Sequence, residues 1–251
     1  MPLKKKFRLI SAHARHEPQR PEVFAHSAGP DFEITEIKLE SGAVSIESAF
    51  DEVLSSPGIV ARAIEAEREG MHAVIIDCMG DPGLYAAREA VNIPVLGPGE
   101  ISMHVAAMLG HQFSVVTVMD RLRPILENHA RVYGVFDKLA SVRAVEMPVL
   151  DIDDHLDELT RRLIEESVQS VRHDKADVIV LGCTGFMGCA DAIAAGLAAQ
   201  GLHVPVIDPI PTAILIGGAL VDAKLSHSPR CYPAVPRKPM IGFHAVPASK
   251  T

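Results

Sequence analysis

Short runs of Val, Ile and Leu alternate along this chain with helix-length segments in which apolar residues recur three or four positions apart. The runs predict strands at 7–11, 34–38, 73–77, 95–96, 113–118, 142–147, 178–182 and 206–207. The segments between them predict helices at 48–69, 84–90, 99–110, 122–133, 153–173, 190–200 and 211–224. Strands that are apolar throughout, rather than at alternate positions, are buried on both faces, the condition of a parallel sheet covered by crossover helices. The five prolines between 226 and 251 predict an extended tail.

The pattern repeats. Phe7-Arg8-Leu9-Ile10-Ser11 returns as Phe113-Ser114-Val115-Val116-Thr117, and the run ending at Cys78 returns as the run ending at Cys183. Asn92-Ile93-Pro94-Val95-Leu96 then returns as His203-Val204-Pro205-Val206-Ile207. Three ordered matches at spacings of 105 to 111 residues point to an internal duplication. The expected fold is therefore α/β, with two pseudo-symmetric parallel-sheet subdomains. Residues 1–98 with 208–251 would carry Cys78 and residues 99–207 would carry Cys183, with the active site in the cleft between them.

Composition narrows the class. At 251 residues, 48% hydrophobic and 22% charged, the chain can bury a substantial core. A formal charge of −8 opposes nucleic-acid binding, and Lys4-Lys5-Lys6 reads as a solvated run. No apolar stretch has the length of a membrane span or the form of a signal peptide, so a cytoplasmic location is expected. Four cysteines without C-x-x-C or finger spacing read as reduced thiols, with neither a disulfide framework nor structural zinc. Self-association into a homo-oligomer stays open.

Cys78 and Cys183 each follow a strand and precede a Gly-containing turn, which places them at the carboxyl edge of a sheet, where open α/β folds bind ligands. Asp81-Pro82 and Thr184 are expected to cap the following helices, whose N-termini would then lower the thiol pKa values. Inverting a carbon centre by proton transfer needs a base on one face and an acid on the other, and two tuned thiols suit both tasks near neutral pH. A lone cysteine in an apolar strand is commonly structural; a matched pair points to chemistry.

These residues resemble the hydantoin racemases of the aspartate/glutamate/hydantoin racemase superfamily over roughly residues 40–240. The resemblance rests on Ser45-Ile46-Glu47-Ser48 with Asp51-Glu52 and Pro57-Gly58, on Cys78-Met79-Gly80-Asp81-Pro82-Gly83, on Phe113–Thr117, and on Leu181-Gly182-Cys183-Thr184-Gly185. It implies a two-domain α/β fold, catalysis without metal or pyridoxal, proton exchange at the α-carbon of a cyclic ureide or amino acid, and Cys78 and Cys183 as the catalytic pair. Where those enzymes usually carry Asn-Pro-Asn after the first strand, this chain has Ala12-His13-Ala14-Arg15-His16. An aromatic residue of the family is replaced by Met79, and a second threonine by Val118.

Around the thiols, the expected substrate contacts are Met79 and Gly80, Thr184 and Gly185, Thr117, and His13 with Arg15. Hydroxyls and turn N–H groups suit an enolate oxygen, and a guanidinium forks onto a carboxylate or paired carbonyls. Each also has a plainer reading, Thr184 as a cap and Arg15 as a solvated loop charge. His13, His16 and His26 match no common metal spacing, so no metal or other cofactor is expected. Asp77 adjoins Cys78 and either tunes it or faces away. Cys189, placed inside a helix, and Cys231, in the tail, read as structural, and Gly80-x-x-Gly83 and Gly97-x-Gly99 fall short of a nucleotide fingerprint.

The leading expectation is racemisation of a 5-substituted hydantoin or of allantoin. Its rivals are an aspartate/glutamate-type racemase, a small-dicarboxylate isomerase or decarboxylase on the same scaffold, and a ligand-binding protein. The decarboxylases of the superfamily keep only the second cysteine, so a chain with both departs from them.

Overall fold

The computed structural model describes residues 4–15, 29–236, 238 and 241. The chain divides into two compact units. The described residues of unit 1 fall within Met1–Ile46, Phe50–Gly97 and Ala213–Thr251, and unit 2 takes Glu47–Ala49 and Pro98–Thr212.

Unit 1 holds β1 (Lys5–Ser11), β2 (Phe32–Lys38), β3 (Ala73–Asp77) and β4 (Val95–Leu96) in one sheet, in the order β2-β1-β3-β4. All three pairings are parallel. Its helices include α1 (Ala49–Arg68), most of which belongs to this unit, and α2 (Leu84–Ala90). Unit 2 holds α3 (Pro98–Leu109), β5 (Phe113–Thr117), α4 (Arg123–Val132), β6 (Leu139–Ala144), α5 (Leu156–Arg172), β7 (Val178–Leu181), α6 (Ala190–Ala198) and β8 (Val206–Ile207). Its strand order is β6-β5-β7-β8, again entirely parallel. The two sheets thus share one topology. In each, the chain goes from its first strand to an outer neighbour and then returns to the other side of the first strand.

That reversal makes the gap between first and third strands the switch point of each sheet, the place where open α/β sheets take ligands. The strands there are apolar on both faces because both are covered. In unit 1, Ile10, Val74 and Ile76 pack with Ile59 and Ala63 of α1 and Leu84 and Ala87 of α2. In unit 2, Val116, Ile179 and Leu181 pack with Leu159 and Leu163 of α5 and Ile193 and Leu197 of α6. Over the other face of the first sheet runs the part of α7 (Pro209–Asp222) that belongs to this unit, and it comes close: a methyl built on Gly217 would run into Leu96 Cδ1 and lie 3.0 Å from Phe7 Cε2.

The edges are closed by polar groups. On edge strand β6, Arg143 pairs with Asp174 and Glu166, and the Arg143 hydrogen bonds hold the Asp174 carboxyl below the ordinary carboxylate range. On β4, the Val95 N–H donates to His227 Nε2 at 2.8 Å. The described start of the tail thus covers a sheet edge, as edge strands require.

Two expectations from the sequence are corrected here. Strand β6 begins at Leu139 and ends at Ala144, not 142–147. The apolar run continues, with Val145 and Met147 buried and their N–H groups bonded to Thr117 O and Val118 O, but Glu146 between them takes φ +52 and breaks the regular ladder. Helix α5 begins at Leu156, since Val149–Asp151 forms a separate 3-10 turn. No helix among the described residues is long and apolar enough to cross a membrane.

Candidate active site

The carboxyl edge of each sheet carries its cysteine at the switch point. In unit 1, Ser11 at the end of β1 is level with Asp77 at the end of β3, so the loops after both strands leave the edge side by side. One loop carries His13 and Arg15, both half-buried, with the Arg15 N–H donating to His13 Nδ1 at 3.3 Å and the Ala14 N–H donating to Ala43 O. His16 and His26 lie outside the described residues. The other loop carries Cys78, half-buried, then Met79, which is buried, and Gly80. The Gly80 N–H donates to Cys78 Sγ at 3.4 Å, a contact that strengthens as the sulfur gains charge.

Unit 2 repeats the arrangement. The Thr117 hydroxyl, fully buried, donates to Gly182 O at 3.1 Å, and the Gly182 N–H donates to Val116 O at 2.7 Å. Those bonds lock the end of β5 to the end of β7, directly before Cys183. Thr184 is half-buried and Gly185 is exposed. A methyl built on Gly185 would lie 3.4 Å from Cys183 Sγ, and one built on Gly80 would lie 3.6 Å from Cys78 Sγ. Each sulfur therefore sits beside the glycine two residues on, close enough that a side chain there would crowd it.

The expected helix caps are not formed. Helix α2 starts at Leu84 with Gly83, at φ 71, in the cap position, while Asp81 sits earlier at φ +45. Asp81 is buried, and a methyl on Gly97 would lie 2.7 Å from its Oδ2, so its carboxyl fills the space that the missing side chain of Gly97 leaves. Cys183 is followed by a 3-10 turn, Thr184–Phe186, and α6 begins only at Ala190, with Cys189 capping rather than inside the helix. Neither reactive-thiol candidate abuts the first turn of an α-helix, and the dipole argument for lowering their pKa values falls away. Cys189 is buried enough that its thiol is pushed up, and Cys231 is exposed.

Two carboxyls to which the sequence reading gave no role, Glu52 among the residues of the resemblance and Asp208, are placed close to these loops. Glu52, in the first turn of α1, is raised to about 7, first by burial and then by the negative charges of Asp81 and Asp51. Its Oε1 would lie 2.1 Å from a methyl on Gly80. Asp208, at the end of β8, is raised to about 6, first by burial, and accepts the Gly188 N–H at 2.8 Å from the loop after Cys183. Both bind their proton more tightly folded than unfolded, so stability should fall as pH rises, from about 4.5 to about 7 for Glu52 and from about 3.8 to about 6 for Asp208. Urea unfolding at pH 5 and pH 8 measures the loss. Glu52→Gln should reduce it by about 1 kcal/mol after allowance for solvent screening, and an equal loss in the variant would contradict the cause given. Among the described residues no group of three or more His, Cys, Asp or Glu is arranged to hold a metal ion.

Comparison with known proteins agrees with this architecture. The family model for Asp/Glu/hydantoin racemase matches residues 20–215. A hydantoin racemase of Pseudomonas sp. (strain NS671) is 37% identical over 196 residues, 78% of this chain and 77% of the relative. The structure of allantoin racemase from Klebsiella pneumoniae superposes with a TM-score of 0.86 at 29% identity, covering 94% of this chain and 96% of that one. Allantoin racemase from Pseudomonas fluorescens gives 0.85 at 30% identity, covering 94% and 100%. By its duplicated sheets, its matched cysteine loops and these likenesses, the chain is an enzyme of the Asp/Glu/hydantoin racemase family.

Proposed function

We propose that this enzyme is a cofactor-independent racemase that inverts the α-carbon of a 5-substituted hydantoin or of allantoin, with Cys78 and Cys183 as its acid/base pair. The observation that carries the reading is the equivalence of the two cysteines: each follows the third strand of an identically ordered sheet, at the switch point, two residues before a glycine where a side chain would crowd its sulfur. The substrate class follows the relatives, which are a hydantoin racemase and allantoin racemases.

The chemistry is a transfer of two protons. One cysteine, as thiolate, takes the hydrogen from the α-carbon, whose electron pair delocalises into the neighbouring carbonyl as an enolate. The other, as thiol, gives its proton to the opposite face, and the pair is left in the reverse protonation state. Turn N–H groups and the Thr184 hydroxyl are the donors proposed for the enolate oxygen. Arg15 and His13, at the same sheet edge as Cys78, are proposed to orient the ureide carbonyls. Thr117 supports the Cys183 loop from behind, its hydroxyl being given to Gly182.

Decay of optical rotation tests this. Single enantiomers of several 5-substituted hydantoins, allantoin, aspartate and glutamate should be incubated with chelator-treated enzyme and no added cofactor. Ureides should lose rotation and the amino acids should not. Activity confined to an amino acid, or restored only by a particular metal, would contradict the assignment.

A further inference from the structure

The two cysteines each stand two residues before a glycine but differ in what stands beside the sulfur. The methyl built on Gly185, 3.4 Å from Cys183 Sγ, would meet the apolar Ile152 Cδ1 at 3.2 Å. The methyl built on Gly80, 3.6 Å from Cys78 Sγ, would meet Glu52 Oε1 at 2.1 Å. A carboxyl and a thiol thus flank the same small space over Gly80, while the equivalent space in unit 2 has a hydrocarbon neighbour. Burial and the negative charges of Asp81, on the Cys78 loop, and Asp51, on its own helix, raise the Glu52 carboxyl.

We propose that Glu52 is a positioning residue that fixes Cys78 as the protonated thiol of the resting enzyme, because carboxylate and thiolate so close together cannot both carry charge. Two adjacent acids titrate as a coupled pair, and the first to ionise holds the proton on the second. Glu52 ionises at about 7, below the ordinary range of a thiol, so it is the first of the two. The cycle then begins with Cys78–SH as donor and the other thiol, as thiolate, taking the α-hydrogen. After that turnover the Cys78 thiolate lies beside a carboxylate, and the repulsion favours its reprotonation from solvent, while the other thiol gives up to solvent the proton it took, which restores the starting pair. In this way a near-symmetric scaffold acquires a defined starting state.

The inference rests on Cys78 being a proton-transfer thiol, yet its test needs no substrate. Iodoacetamide alkylation of the intact protein is followed between pH 6 and 10, with the Cys78 and Cys183 peptides resolved by mass spectrometry. Glu52→Gln should move the Cys78 midpoint down by about one pH unit, a roughly tenfold faster alkylation at pH 8, and leave Cys183 unmoved. Glu52→Asp, which keeps the charge, should retain a raised midpoint. Gly80→Ala, which pushes the carboxylate aside without removing it, should shift Cys78 in the same direction as Glu52→Gln. A Cys78 midpoint that is unchanged or higher in Glu52→Gln would overturn the proposal and leave the two-thiol reading to be judged by its own exchange experiment.

Discussion

Replacing either Cys78 or Cys183 by serine should abolish racemisation, a loss of at least about a thousandfold, while leaving exchange of the substrate α-hydrogen detectable from one enantiomer in at least one of the two variants. Serine keeps the size and the hydrogen bonding of the residue but has a far higher pKa, so it can neither take nor supply the proton at neutral pH. The surviving cysteine still removes and returns a proton on its own face. Hydrogen exchange followed by NMR in deuterated solvent, one enantiomer at a time, separates the half-reaction from the inversion, and the two variants should prefer opposite enantiomers. Near wild-type racemisation in either variant would remove that cysteine from the mechanism.

Gly182→Ala should lower both stability and activity, although the residue has no chemical role. A methyl there would lie 2.8 Å from Thr117 Cβ and Val115 Cγ1 and 2.9 Å from Thr117 Cα, all on the neighbouring strand. Because one of those atoms is backbone and the strands are held by the Gly182 N–H to Val116 O bond, the strain cannot be relieved by turning a side chain. Overpacking of this kind costs about 1–3 kcal/mol. In a protein of this size that is a melting temperature lower by roughly 2–12 °C. Cys183 is the next residue, so the forced movement should also lower kcat/KM at least about tenfold. Thermal melting and kinetics on the same preparation measure both, and wild-type values for the pair would show that the β5–β7 junction has slack.

The fold was legible because both sheets are buried on both faces. Runs such as Ala73–Asp77 and Val178–Leu181 admit no alternating pattern, and their spacing exposed the duplication. The misplacement of β6 has a local cause: its apolar signal sits at Val145 and Met147, past the point where Glu146 leaves the extended conformation, whereas its first residues are half-buried edge positions with no strong pattern. The caps failed for a related reason. Asp81 has the composition of a helix cap, but its carboxyl is buried over Gly97, a partner sixteen residues away that sequence does not announce. Glu52 was hidden in the same manner, since its neighbour is a glycine, whose role is to have no side chain. The available signal was the matched Cys-x-Gly in both halves, which marks a place beside each sulfur where a side chain does not fit.

The central claim is that inversion needs two separate acid/base groups, and racemisation by the wild-type enzyme in deuterated water at neutral pH tests it most directly. Starting from one enantiomer of an accepted hydantoin or of allantoin, the account predicts that the first product formed carries deuterium at the inverted carbon while the remaining substrate keeps its hydrogen, because the proton removed by one thiol is not the one delivered by the other. Product that instead retains the substrate's own hydrogen, or substrate that exchanges as fast as product appears, would show a single group working on both faces and would contradict the two-cysteine account.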